Sequence, residues 1–205
     1  MASSSITTLF LDIGGVLLTN GWDTELRNLT AKHFGLDPDE IYHRHHVTYD
    51  TYESGKMTWD EYLWQIIFYQ KRDFTPDDVK KFVLEQAKPY QDTIDLVKRL
   101  KVVYGLQVAV VSNEGREIAE DRITRFNLGE FVDFFIVSAF VHFRKPDLDI
   151  YRMALDIAQV KPEHVAYIED RPLLCEVAAR LGINSVLNRN ANETRGKLAE
   201  LGLVL

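Results

Sequence analysis

The stretch LFLDIGGVLLTN, residues 9–20, decides how the rest of the chain is read. An apolar run from Ile6 to Leu11 delivers a single carboxylate, Asp12, and the pair Gly14-Gly15 follows at once. A short apolar run of this kind suits a strand buried on both faces. Asp12 is then a candidate strand-end nucleophile. The position two residues later is glycine, where a second acid would have been informative.

Working outward, similar runs recur at 108–111, 134–137, 165–168 and 185–187, each rich in β-branched or aromatic residues. Helical patterns lie between them at 93–104, 115–126, 148–158, 172–181 and 193–201. Several open near Pro or stop at Gly105, Gly182 or Gly202, the usual asymmetry of helix ends. Strands alternating with helices predict an α/β fold, a three-layer doubly wound parallel sheet. Residues 18–89 break the alternation. They predict three or four helices and no strand, with Thr58-Trp-Asp-Glu61 as a capping box for a helix through Tyr69. Thr75-Pro76 opens another helix to about Ala87. The expected organisation is a core of residues 1–17 and 90–205 with a helical insertion, 18–89, at the carboxyl edge of the sheet. Open α/β sheets bind ligands at that edge.

Composition narrows the function. The 205 residues are 46% hydrophobic, enough for one substantial core, and the formal net charge of −7 argues against nucleic acid as a partner. No run approaches the roughly 20 apolar residues of a membrane span, and MASSSITTLF lacks the pattern of a signal peptide. A soluble, cytoplasmic protein is expected, a monomer or homodimer acting on a small molecule. The lone Cys175, in a helical pattern, is expected to be a buried structural thiol.

Four segments follow strand candidates: Asp12-Ile-Gly-Gly-Val16, Ser112-Asn-Glu-Gly115, Phe143-Arg-Lys-Pro-Asp147 and Glu169-Asp-Arg-Pro172. Taken singly, each has an ordinary explanation as a turn, a cap or a surface charge. Taken together, a carboxylate, a hydroxyl, an ammonium and an acidic pair in that order supply the parts of phosphoryl transfer. Oxygen-only ligands suit Mg²⁺.

In order and spacing these motifs, with the helical insertion after the first, resemble the haloacid dehalogenase-like hydrolase superfamily over nearly the whole chain. The resemblance implies an aspartyl intermediate on Asp12, and Ser112 and Lys145 holding the phosphoryl group of a small phosphorylated metabolite. Gly14, Gly15 and Asn113 would line the same site. Mg²⁺ would be held by Asp12, Asp170 and the backbone carbonyl of Gly14, with Glu169 adding a direct or water-bridged ligand. The insertion would be the superfamily's small helical cap.

Gly14 departs from the pattern of the superfamily's phosphatases, which carry a second Asp there to protonate the leaving oxygen and then activate water. Glycine removes that help, worth ~10²–10⁴ in rate. A substrate with a good leaving group, a proton donor from Tyr42-His-Arg-His-His46, or loss of turnover in favour of ligand binding would each accommodate the change. The superfamily's metal-free dehalogenases also lack the second Asp, but Glu169-Asp170 would be poorly placed in a metal-free site. Phosphate ester hydrolysis is therefore the expected reaction.

Overall fold

The computed structural model describes residues 4–205. Its centre is a five-stranded parallel sheet of β1 (Thr8–Leu11), β2 (Gln107–Ser112), β3 (Phe134–Val137), β4 (Val165–Glu169) and β5 (Asn184–Leu187), in the order β3-β2-β1-β4-β5. All five lie on the runs the sequence marks, extended by at most two residues.

Side chains alternate between the faces, as the two-residue period of a strand requires. Leu9 and Leu11 of β1, Val108 and Val110 of β2, and Ala166 and Ile168 of β4 face one core layer. Helices α5 (Gln91–Tyr104), α6 (Arg116–Arg125) and α10 (Ala191–Glu200) cover that layer with residues such as Val97, Ala119 and Leu198. Phe10, Ala109, Val111 and Tyr167 face the other layer, against Ile150 and Ala154 of α8 (Leu148–Ala158) and Val177 of α9 (Pro172–Ala179). Burial on both faces is why these strands read as unbroken apolar runs. A one-turn helix, α7 (Ser138–Val141), follows β3 and is too short to leave a periodic signal.

Between β1 and α5 the chain forms four helices: α1 (Thr24–Phe34), α2 (Pro38–Glu53), α3 (Trp59–Ile66) and α4 (Pro76–Glu85). They share a third core containing Tyr52, Trp59, Tyr62, Leu63 and Val79, to which α6 adds Ile118. Both expected caps form. Thr58 and Glu61 close a reciprocal box, as do Thr75 and Asp78. Helix α3 stops three residues short of Tyr69. The N–H groups of Ile67 and Phe68 both donate to the Leu63 carbonyl, and this turns the chain so that both side chains enter the core. The Arg72 guanidinium then caps the freed Ile67 carbonyl at 2.9 Å. No helix among the described residues is long and apolar enough to cross a membrane.

The chain runs from β1 through β2 to β3 on one side, then returns to place β4 on the other side of β1. The strand order therefore reverses between β1 and β4, and the crevice beyond their carboxyl ends is the favoured ligand position of such sheets.

Candidate active site

Asp12 leaves β1 at that reversal, its N–H donated to the Ile168 carbonyl of β4 at 3.0 Å. It is 8% exposed, and its carboxylate accepts from the Ile13 N–H at 2.9 Å. Burial raises its pKa above the ordinary aspartate value, and the Glu169 charge adds to this while Lys145 opposes it.

Lys145 is the cation at the centre. Its Nζ lies 3.2 Å from Asp12 Oδ1, 2.7 Å from Glu169 Oε2 and 3.0 Å from the Tyr167 hydroxyl, with the residue only 2% exposed. Read alone, a lysine between Arg and Pro suggests a surface charge; the structure buries it completely. Burial works against its charge, and the Asp12 and Glu169 carboxylates outweigh that, holding it above the usual lysine value. Asn113 fixes its backbone. The amide donates to the Lys145 carbonyl and accepts from the Lys145 N–H, each at 2.8 Å. Asn113 borders the cleft, yet both ends of its side chain are committed to positioning Lys145.

Glu169, at the end of β4, has no exposed surface. One oxygen accepts from Lys145 and Tyr167, and the other accepts from the N–H groups of Asp170 and Arg171 at 3.1 Å. Asp12, Glu169 and Asp170 each offer a carboxylate oxygen within 4.8 Å of the others. Two buried atoms here lack any partner, Asp170 Oδ1 and Ser112 Oγ, the latter at the carboxyl end of β2. An all-oxygen acidic cluster with an orphaned buried carboxylate oxygen fits a hard divalent cation.

The two glycines divide. Gly14 lines the same cleft as Asp12, Ser112, Asn113 and Lys145, a space of about 230 Å³. Gly15, expected with it on the substrate side, does a different job. Its N–H donates to Leu18 at 2.8 Å and its carbonyl accepts from Asn188 at 2.7 Å. Its φ is +71°, and a Cβ there would stand 2.1 Å from Asp170 Oδ2. Glycine at 15 lets the acidic loop close on the nucleophile loop.

Some lining residues, Arg27 and Glu53 among them, carry no signal in the sequence. Arg27, Tyr49, Tyr52 and Glu53 reach the cleft from the helical insertion, as does His45. His45 is the one member of the Tyr42–His46 cluster that does so. Its Nδ1 lies 2.6 Å from the Tyr62 hydroxyl, and burial with the Arg27 charge pushes its pKa down to about 3. A neutral imidazole has only its weakly acidic ring N–H to offer a leaving group. Arg144 joins the insertion to the core, donating to Asp50 at 3.2 Å and Glu53 at 2.6 Å. Glu114 and Arg116 follow Ser112-Asn113, and the fold separates them: Glu114 lines the cleft, while Arg116 is exposed and donates to the Ala139 carbonyl at 2.9 Å. Arg171 is exposed at the rim. Cys175 in α9 is half-buried, where full burial was expected, because the first turns of that helix lie near the surface.

Known proteins share this architecture. The structure superposes on a HAD family enzyme from Bacteroides thetaiotaomicron, solved with magnesium and inorganic phosphate, with a TM-score of 0.76 and 21% identity over 90% of this chain and 94% of that one. A dehalogenase solved as an intermediate complex gives 0.66 and 21%, covering 91% and 86%. At these identities the likeness is one of fold. In sequence, 85 residues are 40% identical to mouse haloacid dehalogenase-like hydrolase domain-containing protein 3, covering 40% of this chain. The chain spans 33% of that relative's length and 26% of its bovine counterpart's. Residues 22–187 match the family model described as haloacid dehalogenase-like hydrolase. The chain therefore belongs to the haloacid dehalogenase-like hydrolase family.

Proposed function

We propose that the protein hydrolyses small phosphate monoesters with Mg²⁺ through an aspartyl-phosphate intermediate on Asp12. The observation that carries this reading is the convergence of Lys145, Glu169 and Asp170 on Asp12 at the carboxyl ends of the strands. In this account Asp12 attacks phosphorus in line, expelling the alcohol, and water then attacks the phosphorus of the aspartyl phosphate. Lys145 Nζ and Ser112 Oγ hold phosphoryl oxygens. Asp12, Asp170 and the Gly14 carbonyl hold the Mg²⁺, whose charge, when it is bound, offsets that of the phosphoryl oxygens. Glu169, with four hydrogen bonds already accepted, acts mainly by orienting Lys145 and the Asp170 loop. The helical insertion serves as the cap, and a cleft of about 230 Å³ restricts it to small esters.

A second reading, metal-free dehalogenation, has support in the shared fold of a solved dehalogenase and in glycine at position 14. The two differ in their dependence on metal. A panel of phosphate monoesters and 2-haloacids, each assayed with Mg²⁺ and with EDTA, separates them. Phosphate release that EDTA abolishes is expected. Halide release that EDTA leaves unchanged would establish the alternative, and inertness toward the whole panel would leave a ligand-binding protein.

Gly14 offers a further check. A Cβ at 14 would stand 2.7 Å from Asn20 Oδ1, the movable end of a side chain, so an acid enters only if Asn20 swings away. If no other cleft residue protonates the leaving group, Gly14→Asp combined with Asn20→Ala is expected to raise kcat/KM for alkyl phosphates more than for aryl phosphates. An equal change for both would show that the leaving group already receives its proton from elsewhere in the cleft.

A further inference from the structure

Glu114 lines the cleft beside Asp12, and the reading above gives it no task. It is 7% exposed, with Oε1 held by the Arg122 guanidinium, while Oε2 has no hydrogen-bond partner. A buried carboxylate oxygen left unpaired at the wall of a polar cleft is costly unless something in the cleft uses it.

Arg122 is its anchor. Arg122 is 1% exposed and donates from Nη2 to the Thr19 carbonyl. The same guanidinium lies so close to Gly21 that a Cβ there would stand 2.7 Å from Nη1. One cation therefore ties Glu114 to the segment on either side of Asn20, and Asn20 covers Gly14. Glu114 and Gly14 thus line the same cleft, linked through Arg122 and the Thr19–Gly21 segment. Tyr52 packs so tightly on Gly115, the residue after Glu114, that no Cβ fits there. Tyr52 lines the cleft as well, and its buried hydroxyl is also unpartnered.

We infer that Glu114 is the proton-transfer residue for the leaving group, a catalytic acid and base supplied by the loop after β2 where the loop after β1 has glycine. The inference rests on the phosphate ester reading. As the Asp12 oxygen–phosphorus bond forms and the ester phosphorus–oxygen bond breaks, protonated Glu114 gives its proton from Oε2 to the departing alkoxide. The resulting carboxylate then takes a proton from water as that water attacks phosphorus and the Asp12–phosphorus linkage breaks. Alcohol and phosphate leave, and both carboxyl groups return to their starting states.

The electrostatics suit both halves. Burial pushes the Glu114 carboxyl up to about 7; Arg122 opposes the rise, the Asp12 and Glu53 charges add to it, and Lys145 opposes it. A group poised there can be acid and base in one cycle near neutral pH.

The test compares Glu114→Gln with wild type on an alkyl phosphate and on p-nitrophenyl phosphate, whose leaving group departs without a proton. For the alkyl ester, kcat/KM is expected to fall about 10²–10⁴-fold. For the aryl ester, kcat and KM are expected to fall together, because bond cleavage survives while hydrolysis of the aspartyl phosphate loses its base. Equal losses of kcat/KM on both esters, or no loss on either, would overturn the inference while leaving the phosphatase reading intact. Wild type inert toward both esters would overturn that reading and this inference with it. Should the variant fail to fold, wild type decides. The alkyl-to-aryl ratio of kcat/KM is expected to drop as pH rises through about 7, where Glu114 loses its proton. A ratio flat across that range would contradict the assignment.

Discussion

Replacing Asp12 with asparagine is expected to remove turnover of every phosphate ester, by about 10⁴-fold or more, while the protein keeps its fold. The amide matches the carboxylate in shape but cannot attack phosphorus. The other two carboxylates of the acidic cluster are poorly placed to take over. Glu169 is saturated with hydrogen bonds, and Asp170 stands on the following loop behind Gly15. Stability should change little. The Asp12 pKa is raised in the folded state by burial and the nearby Glu169 charge, so its ionised form costs the metal-free fold stability at pH values above the unfolded aspartate range. Asparagine removes that cost and also loses the 3.2 Å contact to Lys145, two effects of opposite sign. Phosphate release and a melting curve on the same preparation check both halves. Activity within tenfold of wild type would refute the nucleophile.

Lys145→Met should damage catalysis and fold together. Lys145 is the sole cation in contact with Glu169 among the described residues, and Glu169 has no exposed surface. Removing one partner of a buried pair leaves the other charge unmatched, at a cost of about 3–5 kcal/mol. For a chain of this size that corresponds to a fall in Tm of about 10 °C. Adding Glu169→Gln to Lys145→Met is expected to recover part of the stability and none of the turnover. The pH dependence has a definite sign. Lys145 is held above the ordinary lysine value, so its contribution is complete at pH values below that ordinary value and is lost only as pH climbs through the elevated one. The deficit of Lys145→Met, read from paired melting curves, should accordingly be constant between neutral pH and about 9 so far as this group is concerned. Recovery of turnover in the double variant would show that Lys145 serves the fold alone.

The sequence carries most of the architecture because the sheet is buried on both sides. Runs such as 108–111 need no alternation to be recognised, and the caps at Thr58 and Thr75 are written in three or four adjacent residues. The α3 terminus was less legible, since its end depends on where Ile67 and Phe68 find a core to enter. Site legibility follows the same division. Residues set by a strand end, such as Asp12, Ser112 and Glu169, fall where the chain order places them. Asn113 and Gly15 were visible as members of the site, but their tasks depend on Lys145 and Asp170, which are remote in sequence. Glu114 could not be oriented at all. Its direction is fixed by Arg122, eight residues on, reaching back to Thr19. His45 shows the converse, a residue that looks suited to proton transfer and is silenced by burial against Tyr62.

The central claim is a covalent phosphoryl group on Asp12. A single turnover of p-nitrophenyl phosphate with Mg²⁺, quenched in acid and digested for mass spectrometry, tests it most directly. The account predicts the added mass of one phosphoryl group on the peptide containing Asp12, and its absence from Asp12→Asn. Full release of nitrophenol with that peptide unmodified at every quench time, or with the phosphoryl group on another residue, would contradict it.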